Sequence, residues 1–580
     1  MATEVLMPRQ GQSVESCIII EWKVKEGDAV TEGQPLCEVE TDKATFEVEA
    51  TASGTVLGIF YPADADVDVL KVIAAIGDAG EDVSGLRPET SEVSEQKSEV
   101  SKPAATPVQA VKVPVVKVPT SEVRPLISAK SGGAEFDIII IGAGPGGYEM
   151  AERAAHQGQK VLLVEKAHLG GVCLNWGCIP TKTLLNSAKH YVHAKEAPAF
   201  GVTTGEVSFD LKKVMAWKQE VVETLRGGVA SMLKRSKVTI LNGEAKFLGS
   251  RQVEVDGKVY EGTNVVIATG GSPFVPPIPG ADQDHVLTSK GILSVEELPK
   301  SLAVIGGGVI GIEFASFFSN LGVKVDIIEM LDEIIPFMDR GQAKRFRAAV
   351  KDKIDFNLGC RVTAIDGHDV KYTTKAGEEK SINADIVLMS VGRAPNLSGM
   401  GFEEAGLDFD RRGIKADDQM RTNLPNVYAI GDVTGKSQLA HSATRMGEVA
   451  LNTILGKPDR FRMNAIPWAV YSMPEIAGCG LTVEQAKEVG YNVETATLPL
   501  IMSGRFLAEN GKKGPGQVTV VKDADTDVLL GVHMFGAYSS EIIWGVAAMI
   551  EAELRIEDIK EIVFPHPTVG EVIRSTMLQL

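Results

Sequence analysis

The sequence predicts a protein of the α/β class, with two parallel-sheet domains that follow a small all-β domain and a proline-rich linker. Two stretches, beginning at Phe136 and Ser301, repeat the order apolar strand, glycine turn, helix and second strand, which is typical of βαβ units. Residues 1–79 instead alternate polar and apolar positions over short stretches separated by Gly, Asp and Pro. A chain of 580 residues is too long for one hydrophobic core, so we expect several domains.

Charge and composition narrow the function classes. The chain has 77 acidic and 59 basic residues and a net charge of -18, which opposes binding to nucleic acid or to an anionic membrane surface. Its N-terminus is acidic where a signal peptide is basic, and its apolar runs are shorter than the ~20 residues of a membrane helix. We therefore expect a cytoplasmic protein without membrane or nucleic-acid partners.

The N-terminal domain, residues 1–79, is predicted to be a flattened barrel built from a duplicated strand set. Glu26–Val30 in its first half is echoed by Ala63–Val67 in its second half, without the glycine. Residues 80–134 combine Pro and Ala with spaced Lys and lack an apolar period. This composition favours an extended, semi-stiff tether, and a short disordered spacer without a mechanical role is the alternative.

The first βαβ stretch carries a dinucleotide-binding pattern. Gly142, Gly144 and Gly147 follow an apolar strand and open a helix, and the second strand ends in Glu165. Glycines at these positions allow a tight turn and the close approach of a pyrophosphate to the helix N-terminus, while the acid can bind a ribose hydroxyl. Glycine turns alone are common. Here the strand, the helix and the acid also stand at the positions that a dinucleotide-binding unit requires, so we predict a bound dinucleotide.

The second stretch repeats the pattern with Gly306, Gly308 and Gly311. Glu329 follows the first of these glycines at the same 23-residue separation that Glu165 has in the first stretch. A carboxylate there accepts the 2′-hydroxyl of NAD and repels the 2′-phosphate of NADP, for which an arginine is expected. We therefore predict a second nucleotide, NAD, unless a neighbouring basic side chain reverses the preference.

A pair of cysteines five residues apart, Cys173 and Cys178, follows the first nucleotide-binding stretch. On one continuous helix these side chains would point apart, but a distorted turn over Asn175–Gly177 would let the sulfurs meet at disulfide distance. Zinc is a competing interpretation, yet it usually takes four ligands and the other cysteines are isolated. An inert structural disulfide is a further alternative. The spacing favours a redox-active dithiol and no metal site.

The segment GGVCLNWGCIPTK around these cysteines resembles the redox-active motif of dihydrolipoamide dehydrogenases, in the pyridine nucleotide-disulfide oxidoreductase family. The resemblance extends over residues 135–580. It implies that Cys173 exchanges with the sulfur of the substrate and that Cys178 is the charge-transfer thiol beside the flavin of FAD. It also implies that Lys182 lies near the flavin N5 and pairs with Glu313. A nearby cation and a helix N-terminus would stabilise the thiolate that exchange requires near neutral pH.

Two further segments resemble flavoprotein signatures. Val265–Gly271 and Val427–Val433 each pair an apolar strand with a small polar turn. The resemblance implies that Thr269 and Gly270 lie where the chain passes the FAD, and that Asp432 lies near the ribityl chain of the flavin. Ordinary turns would explain either segment alone.

His566 is the candidate base. It lies in a proline-flanked turn with Glu571 five residues on, and a neutral imidazole held by a carboxylate can take a thiol proton. A capping histidine between prolines is the alternative. The family resemblance implies that residues 466–580 form an α+β interface domain, whose His-Glu pair completes the active site of the other subunit of a homodimer. Phe564 and Met446 depart from the family pattern, in which a histidine and an acid are common.

Lys43 lies in a four-residue turn, Thr41–Ala44, between two alternating stretches with acidic flanks. The segment resembles a lipoyl domain and implies a covalent lipoyl group on Lys43, whereas a biotin carrier normally has Met-Lys-Met there. A plain solvated lysine is the alternative on composition alone.

These patterns divide the chain and imply one activity. The predicted parts are a lipoyl domain 1–79, a linker 80–134, an FAD-binding domain 135–280 with its continuation 397–465, an NAD-binding domain 281–396 and an interface domain 466–580. The resemblance implies an enzyme that oxidises protein-bound dihydrolipoyl groups with FAD and NAD. The rivals are an NADPH-dependent disulfide or mercuric reductase, and a lipoyl carrier or scaffold. The expected partners are a second copy of the chain and acyltransferase or glycine-cleavage components.

Overall fold

A computed structural model describes residues 2–8, 16–40, 45–63, 65–69, 71–83, 86, 134–249 and 251–580. The chain divides into two compact units, Met1–Glu122 and Val123–Leu580. Lys43 and nearly all of the predicted linker lie outside the described residues. Within the described ranges, no helix is long and apolar enough to cross a membrane.

The N-terminal unit is built from two four-stranded antiparallel sheets. Its strands are β1 Thr3–Leu6, β2 Ser16–Trp22, β3 Ala29–Val30, β4 Pro35–Glu40, β5 Thr45–Glu49, β6 Gly54–Ile59, β7 Asp66–Asp68 and β8 Val72–Gly77. The orders β1-β8-β6-β3 and β5-β4-β2-β7 place two strands from each half of the domain in each sheet. Val5 and Ile73 of one sheet share a core with Ile19 and Val39 of the other. The predicted flattened barrel with a duplicated strand set is confirmed.

The larger unit begins with an α/β layer that carries the first glycine turn and the dithiol. Its elements are β9 Phe136–Ile141, α1 Pro145–His156, β10 Val161–Glu165, α2 Gly171–Trp176, α3 Cys178–Glu196, α4 Leu211–Arg235, β11 Thr239–Asn242, β12 Ala245–Gly249, β13 Gln252–Val255, β14 Lys258–Ile267 and β15 Gly271–Pro273. Strands β11, β10, β9 and β14 pair in that order and run parallel, while β12 and β13 extend the sheet by antiparallel pairing. Strand β9 is almost wholly buried, as expected when both faces of a parallel sheet are covered.

A second α/β layer carries the second glycine turn. Its elements are β16 Val286–Thr288, β17 Ser301–Ile305, α5 Val309–Asn320, β18 Lys324–Glu329, α6 Arg340–Val350, β19 Ile354–Leu358, β20 Arg361–Asp366, β21 Asp369–Thr373, β22 Glu379–Asn383, β23 Ile386–Met389 and β24 Arg393–Pro395. The parallel order is β16-β23-β17-β18-β19, and β20, β21 and β22 form a separate antiparallel sheet.

The chain then returns to the first layer. The next elements are β25 Phe409–Asp410, β26 Gly413–Ile414, β27 Val427–Ala429 and α7 Ala440–Ile454. Strand β24 pairs antiparallel with β15, so the outgoing and returning segments lie side by side. Strand β27 pairs parallel with β14 and so completes the first sheet.

The C-terminal part is an antiparallel sheet covered by helices. Its elements are β28 Trp468–Val470, β29 Ile476–Gly480, α8 Val483–Glu488, β30 Val493–Pro499, α9 Gly504–Asn510, β31 Gln517–Asp523, β32 Leu529–Phe535, α10 Ser539–Glu551, α11 Ile556–Lys560 and α12 Glu571–Met577. The strand order is β28-β29-β32-β31-β30. Val546 and Ile573 from the helices share a buried core with Val520 and Val532 of the sheet.

Candidate active site

The first glycine turn accepts no side chain at two of its three predicted glycines. Gly142 has φ +105°, and a Cβ there would overlap the carbonyl oxygen of Ala268. A Cβ on Gly147 would overlap the carbonyl oxygen of Gly142. A Cβ on Gly144 would meet no atom within 4 Å. The open space lies at the N-terminus of α1, where free backbone N–H groups favour a pyrophosphate, so the turn fits a dinucleotide.

The second turn repeats this geometry. Gly306 has φ +107°, and a Cβ there would lie 2.5 Å from the carbonyl oxygen of Ser390. A Cβ on Gly311 would overlap the carbonyl oxygen of Gly306, whereas a Cβ on Gly308 would meet no atom within 4 Å. This turn therefore fits a second dinucleotide at the N-terminus of α5.

The acids at the ends of β10 and β18 bind the backbone of these turns. Glu165 accepts hydrogen bonds from the N–H groups of Ala143 and Ala167, both at 2.8 Å. Glu329 accepts from the N–H groups of Gly307 at 2.6 Å and Leu331 at 2.7 Å. Each carboxylate thus lies beneath its glycine turn, with lone pairs left for a ribose hydroxyl.

The two segments that resemble flavoprotein signatures lie on neighbouring strands. Thr269 donates its hydroxyl to the Asn396 carbonyl at 3.2 Å, and the Asn396 amide donates back to the Thr269 carbonyl at 2.8 Å. Gly270 accepts the Asn396 N–H at 3.0 Å. Asp432 forms an ion pair with Arg393 at 3.3 Å. Burial raises the pKa of Asp432, and the guanidinium of Arg393 opposes that rise.

Met446, at the position where an acid is common, has a local role. Its side chain is fully buried in α7, and its sulfur accepts the backbone N–H of Gly431 at 3.2 Å. Gly431 directly precedes Asp432. The thioether therefore supplies the acceptor for the turn that carries Asp432.

The dithiol lies at a helix break. Cys173 belongs to the six-residue helix α2, and Cys178 is the first residue of the nineteen-residue helix α3. The expected distorted turn over Asn175–Gly177 is wrong in its extent, because Asn175 and Trp176 are helical and only Gly177 leaves the helix, with φ -141° and ψ -110°. One residue outside the helical region is enough to turn α3 away from α2.

The dithiol segment packs directly on the first glycine turn. Gly170 donates its N–H to the Ala143 carbonyl at 2.8 Å. A Cβ on Gly171, which has φ +55°, would lie 2.6 Å from the Cα of Gly144. Helix α2 can therefore begin only with glycine, and the predicted nucleotide and the cysteines share one wall.

Both cysteines are free thiols in the structure, and their acidities differ. The pKa of Cys178 is lowered to about 7, first by the hydrogen bond from Cys173 and further by Lys182, against the opposing effect of burial. The pKa of Cys173 is raised, first because it is the hydrogen-bond donor to Cys178 and then because it is buried. A position at the N-terminus of α3 also favours a thiolate at Cys178.

Lys182 lies one turn along α3 and contacts two other parts of the chain. Its ammonium donates to both carboxylate oxygens of Glu313 in α5, at 2.8 and 2.9 Å. It also lies 4.6 Å from the ring centroid of Tyr471, whose N–H donates to Glu313 at 3.0 Å. Burial works against the charge on Lys182, but Glu313 outweighs it and the pKa of Lys182 is raised. The predicted Lys182–Glu313 pairing is present.

His566 and Glu571 form the predicted pair. His566 Nδ1 lies 2.9 Å from Glu571 Oε1, and the other carboxylate oxygen accepts the N–H of Thr568 at 2.8 Å. These bonds, the Thr568 N–H first, lower the pKa of Glu571. The His566 side chain is 80% exposed. In the described part of the chain its hydrogen bonds stay within this turn and do not join it to Cys173 of the same subunit.

Three residues of the site have no local signal in the sequence. Arg226 contacts Asn175 from 51 positions away, and Arg393 reaches Asp432 across 39. Tyr471 meets Glu313 across 158. No spacing rule covers such separations. Their place beside the cysteines and nucleotide turns follows only from the fold.

Family models match most of the chain. The model described as pyridine nucleotide-disulphide oxidoreductase matches residues 136–447, and the dimerisation domain of the same family matches residues 466–577. A biotin/lipoyl model, described as biotin-requiring enzyme, matches residues 3–76.

Curated relatives and a solved structure agree with these matches. A dihydrolipoyl dehydrogenase of Bacillus subtilis (strain 168) is 40% identical, and the match covers 76% of this chain and 95% of that protein. A dihydrolipoyl dehydrogenase of Thermus scotoductus is 42% identical, with 75% and 95% covered. The HOCl-induced flavoprotein disulfide reductase RclA from Escherichia coli has a TM-score of 0.68 and 30% identity, with 76% and 99% covered.

Proposed function

Because this chain belongs to the pyridine nucleotide-disulphide oxidoreductase family, we propose that it oxidises dihydrolipoyl groups to lipoyl groups and reduces NAD⁺ to NADH. The observation that carries the proposal is the position of Cys178 at the head of α3 beside the Lys182–Glu313 ion pair, in a dithiol segment whose Gly171 packs on Gly144 of the first glycine turn. The relatives named dihydrolipoyl dehydrogenase support the substrate and the direction.

The substrate half-reaction is a dithiol–disulfide exchange. His566 of the partner subunit, held by Glu571, takes a proton from one dihydrolipoyl thiol. The resulting thiolate attacks Cys173 of a Cys173–Cys178 disulfide, and the electron pair of the broken S–S bond goes to Cys178. The second dihydrolipoyl thiol then attacks the lipoyl sulfur of the mixed disulfide, and Cys173 leaves with the electron pair of the broken S–S bond and takes the proton of that thiol. Lipoyl leaves oxidised, and the enzyme keeps the Cys173 thiol, the Cys178 thiolate and the first proton on His566.

The chain's own groups stabilise the product of this exchange. The Cys178 thiolate is favoured by the Cys173 hydrogen bond and by Lys182. Gly142, Gly144 and Gly147 would hold FAD, which would supply the two-electron chemistry between the dithiol and an NAD held at the second turn. Arg393 and Asp432 would face the flavin side of this relay.

NAD rather than NADP is supported at the second turn. Glu329 ends β18, and the next residues are Met330, Leu331 and Asp332 rather than a basic side chain. Two cations that reach this loop, Lys375 and Arg347, are paired with Asp332 at 2.8 Å and with Glu333 at 2.6 Å. A 2′-phosphate would therefore meet carboxylates, which disfavours NADP. Of the rival NADPH-dependent disulfide or mercuric reductase, the likeness to RclA supports only a flavoprotein disulfide reductase, and the relatives named dihydrolipoyl dehydrogenase favour the dihydrolipoyl substrate.

The N-terminal domain supplies a lipoyl carrier within the same chain. The biotin/lipoyl model covers residues 3–76, and β4 pairs with β5 between Glu40 and Thr45, on either side of the predicted lipoyl-lysine Lys43. The two relatives named above are matched over 95% of their own length, and the unmatched remainder of each is too short for a domain of the size of residues 3–76. We infer that acyltransferase or glycine-cleavage components are the complex partners and that the active enzyme is a homodimer.

The test of the catalytic proposal is Cys173→Ser in the flavin-loaded enzyme. NADH formation from dihydrolipoamide should fall to below about 1% of the unaltered rate, because the attacked sulfur is lost. Cys360→Ala, at a buried cysteine outside the site, is the matched control and should keep its activity. A fully active Cys173→Ser enzyme would refute the proposal.

The carrier role has a separate test. Mass spectrometry of Lys43 in protein from its native cell should show a lipoyl increment. An unmodified Lys43 would remove the carrier function and leave the oxidoreductase proposal in place.

A further inference from the structure

Asn175 joins the helix that carries Cys173 to a distant helix. Its side-chain N–H groups donate to the carbonyls of Leu169 at 2.9 Å and Gly171 at 2.8 Å. Its oxygen accepts two bonds from Arg226 in α4, at 3.0 Å from Nε and 2.7 Å from a terminal nitrogen. Both N–H groups of the amide and both acceptor positions of its oxygen are therefore in hydrogen bonds. The residue is buried, with 7% of Asn175 exposed.

Helix α2 needs such outside support. It has six residues, and an isolated helix of that length does not persist in water. Gly170 and Gly171 precede or begin it with positive φ, and Gly177 ends it outside the helical region, so glycine leaves the backbone free to move at both ends. Helix α4, by contrast, has 25 residues and is capped by Asp210. Arg226 therefore links α2, which is too short to be stable alone, to the longer, capped helix α4.

We propose that Arg226 is a positioning residue for the dithiol: through Asn175 it holds α2 so that the sulfur of Cys173 stays against Cys178, and in this way it sets the reduction potential of the pair. The proposal rests on the redox role of the two cysteines given above. A disulfide within one chain is favoured in proportion to the effective concentration of one sulfur at the other, and a loosened α2 lowers that concentration.

The same constraint bears on the thiolate. The largest cause of the lowered pKa of Cys178 is the hydrogen bond from Cys173, which requires a fixed α2. Lys182 is the cation that lowers the pKa of both cysteines. Arg226 therefore acts through the position of Cys173, whereas Lys182 acts through its charge.

The experiment compares Arg226→Met and Arg226→Lys in the flavin-loaded enzyme, with Lys234→Met in the same helix as the matched control. The dithiol potential is measured by equilibration with NADH and NAD. We expect a tenfold loss of effective concentration in both Arg226 variants, which makes the potential about 30 mV more positive. Lysine keeps the charge but lacks the forked pair of donors, so it should not rescue. Lys234→Met should match the unaltered enzyme.

A double-mutant cycle with Asn175→Ala identifies the route. The Arg226→Met/Asn175→Ala enzyme should have the potential of Asn175→Ala alone, since both changes break one link. An unchanged potential in Arg226→Met, rescue by lysine, or additive shifts in the double variant would each overturn the proposal. If Arg226→Met does not fold, Arg226→Lys and Asn175→Ala still decide. An unaltered enzyme without a two-electron dithiol titration would instead refute the proposed function.

Discussion

The two nucleotide turns have the same backbone but lead into different loops. At the first turn the N–H of Gly170 donates to the Ala143 carbonyl at 2.8 Å, and at the second the N–H of Ile335 donates to the equivalent Gly307 carbonyl at 3.1 Å. The loop at Gly170 continues into the two cysteine-bearing helices. The loop at Ile335 instead contains two fully buried apolar side chains, those of Ile334 and Ile335.

This difference indicates that the glycine turn accounts for the binding of a nucleotide, whereas the loop packed on the turn determines which chemistry takes place beside it. A duplicated βαβ unit provides two similar cradles, and the segment docked on each determines its use. The first cradle has the dithiol packed against Gly144 through Gly171. At the second, Met330 is 66% exposed directly after Glu329. A nucleotide that must enter and leave in every turnover suits the second cradle, and one that stays suits the first.

The largest expected effect comes from breaking the turns one at a time with Gly147→Ala and Gly311→Ala. Each new Cβ would overlap a backbone oxygen, of Gly142 or Gly306, that cannot move aside as a flexible side chain does. We expect Gly147→Ala to purify without flavin or activity. Gly311→Ala should keep its flavin while its KM for NAD rises about tenfold or more. Flavin absorbance per chain and steady-state kinetics check the pair, and equal flavin loss from both would contradict the separation.

The next largest effect is expected on the reaction of dihydrolipoamide with the Cys173–Cys178 pair, and not on the reaction with NADH. His566→Gln should lower the rate of dihydrolipoamide oxidation by about 10²–10⁴-fold, because the thiol loses its proton acceptor. Oxidation of NADH with an artificial electron acceptor uses the nucleotide side and should keep its rate. His190→Gln, at an exposed histidine of α3, is the control. Parallel loss of both reactions would mean that His566 acts on the fold rather than on the proton.

A smaller effect is expected on the acidity of Cys178. The paired change Lys182→Met with Glu313→Gln removes both charges of the ion pair, so no buried charge is left unpaired. The glutamine keeps an acceptor for the Tyr471 N–H. The pKa of Cys178 is lowered to about 7, so its thiolate is present above pH 7. Lys182 lowers this pKa more than Glu313 raises it, so the loss of both charges should leave the pKa higher, and the thiolate should appear at a pH up to about one unit higher.

The measurement is the charge-transfer absorbance of the two-electron-reduced enzyme as a function of pH. Lys189→Met removes an exposed cation of the same helix and should leave the midpoint where it was. An unmoved midpoint in the paired variant would show that the Lys182–Glu313 pair has no net effect on the Cys178 thiolate.

The smallest effect concerns Met446. Met446→Leu leaves the Gly431 N–H without its sulfur acceptor beside the first cradle, and should lower the free energy of unfolding by about 1 kcal/mol. Met330→Leu, at an exposed methionine beside the second cradle, should change it by less than about 0.5 kcal/mol. Urea unfolding of the flavin-loaded enzyme measures both. Equal midpoints would show that the sulfur contributes nothing.

The sequence predicts the parts of the site that arise within about thirty residues. The glycine turns, Glu165, Glu329 and the dithiol belong to single βαβ units, where spacing and backbone geometry are tied together. The extent of the break at Gly177 was mispredicted, because helix propensity does not show which of three residues leaves the helix.

Long-range partners were predicted only where family resemblance supplied them. The pair Lys182–Glu313 spans 131 residues and was expected by resemblance. The contact of Arg226 with Asn175 crosses two helices, and no periodicity of either helix indicates it. Such contacts depend on the packing of α4 on α2, which is a property of the folded chain.

The Lys182 ion pair has a consequence for when the chain becomes reactive. Cys178 and Lys182 belong to the first α/β layer and Glu313 to the second, and Tyr471 directly follows β28 of the C-terminal part. Until these three parts have come together, Lys182 has no fixed counter-charge and Cys178 lacks a fixed cation beside it. The share of the lowered Cys178 pKa that Lys182 supplies is therefore complete only after assembly, whereas the larger effect of the Cys173 hydrogen bond arises between the adjacent helices α2 and α3. Before assembly, a smaller fraction of Cys178 is the thiolate that reacts with oxidants.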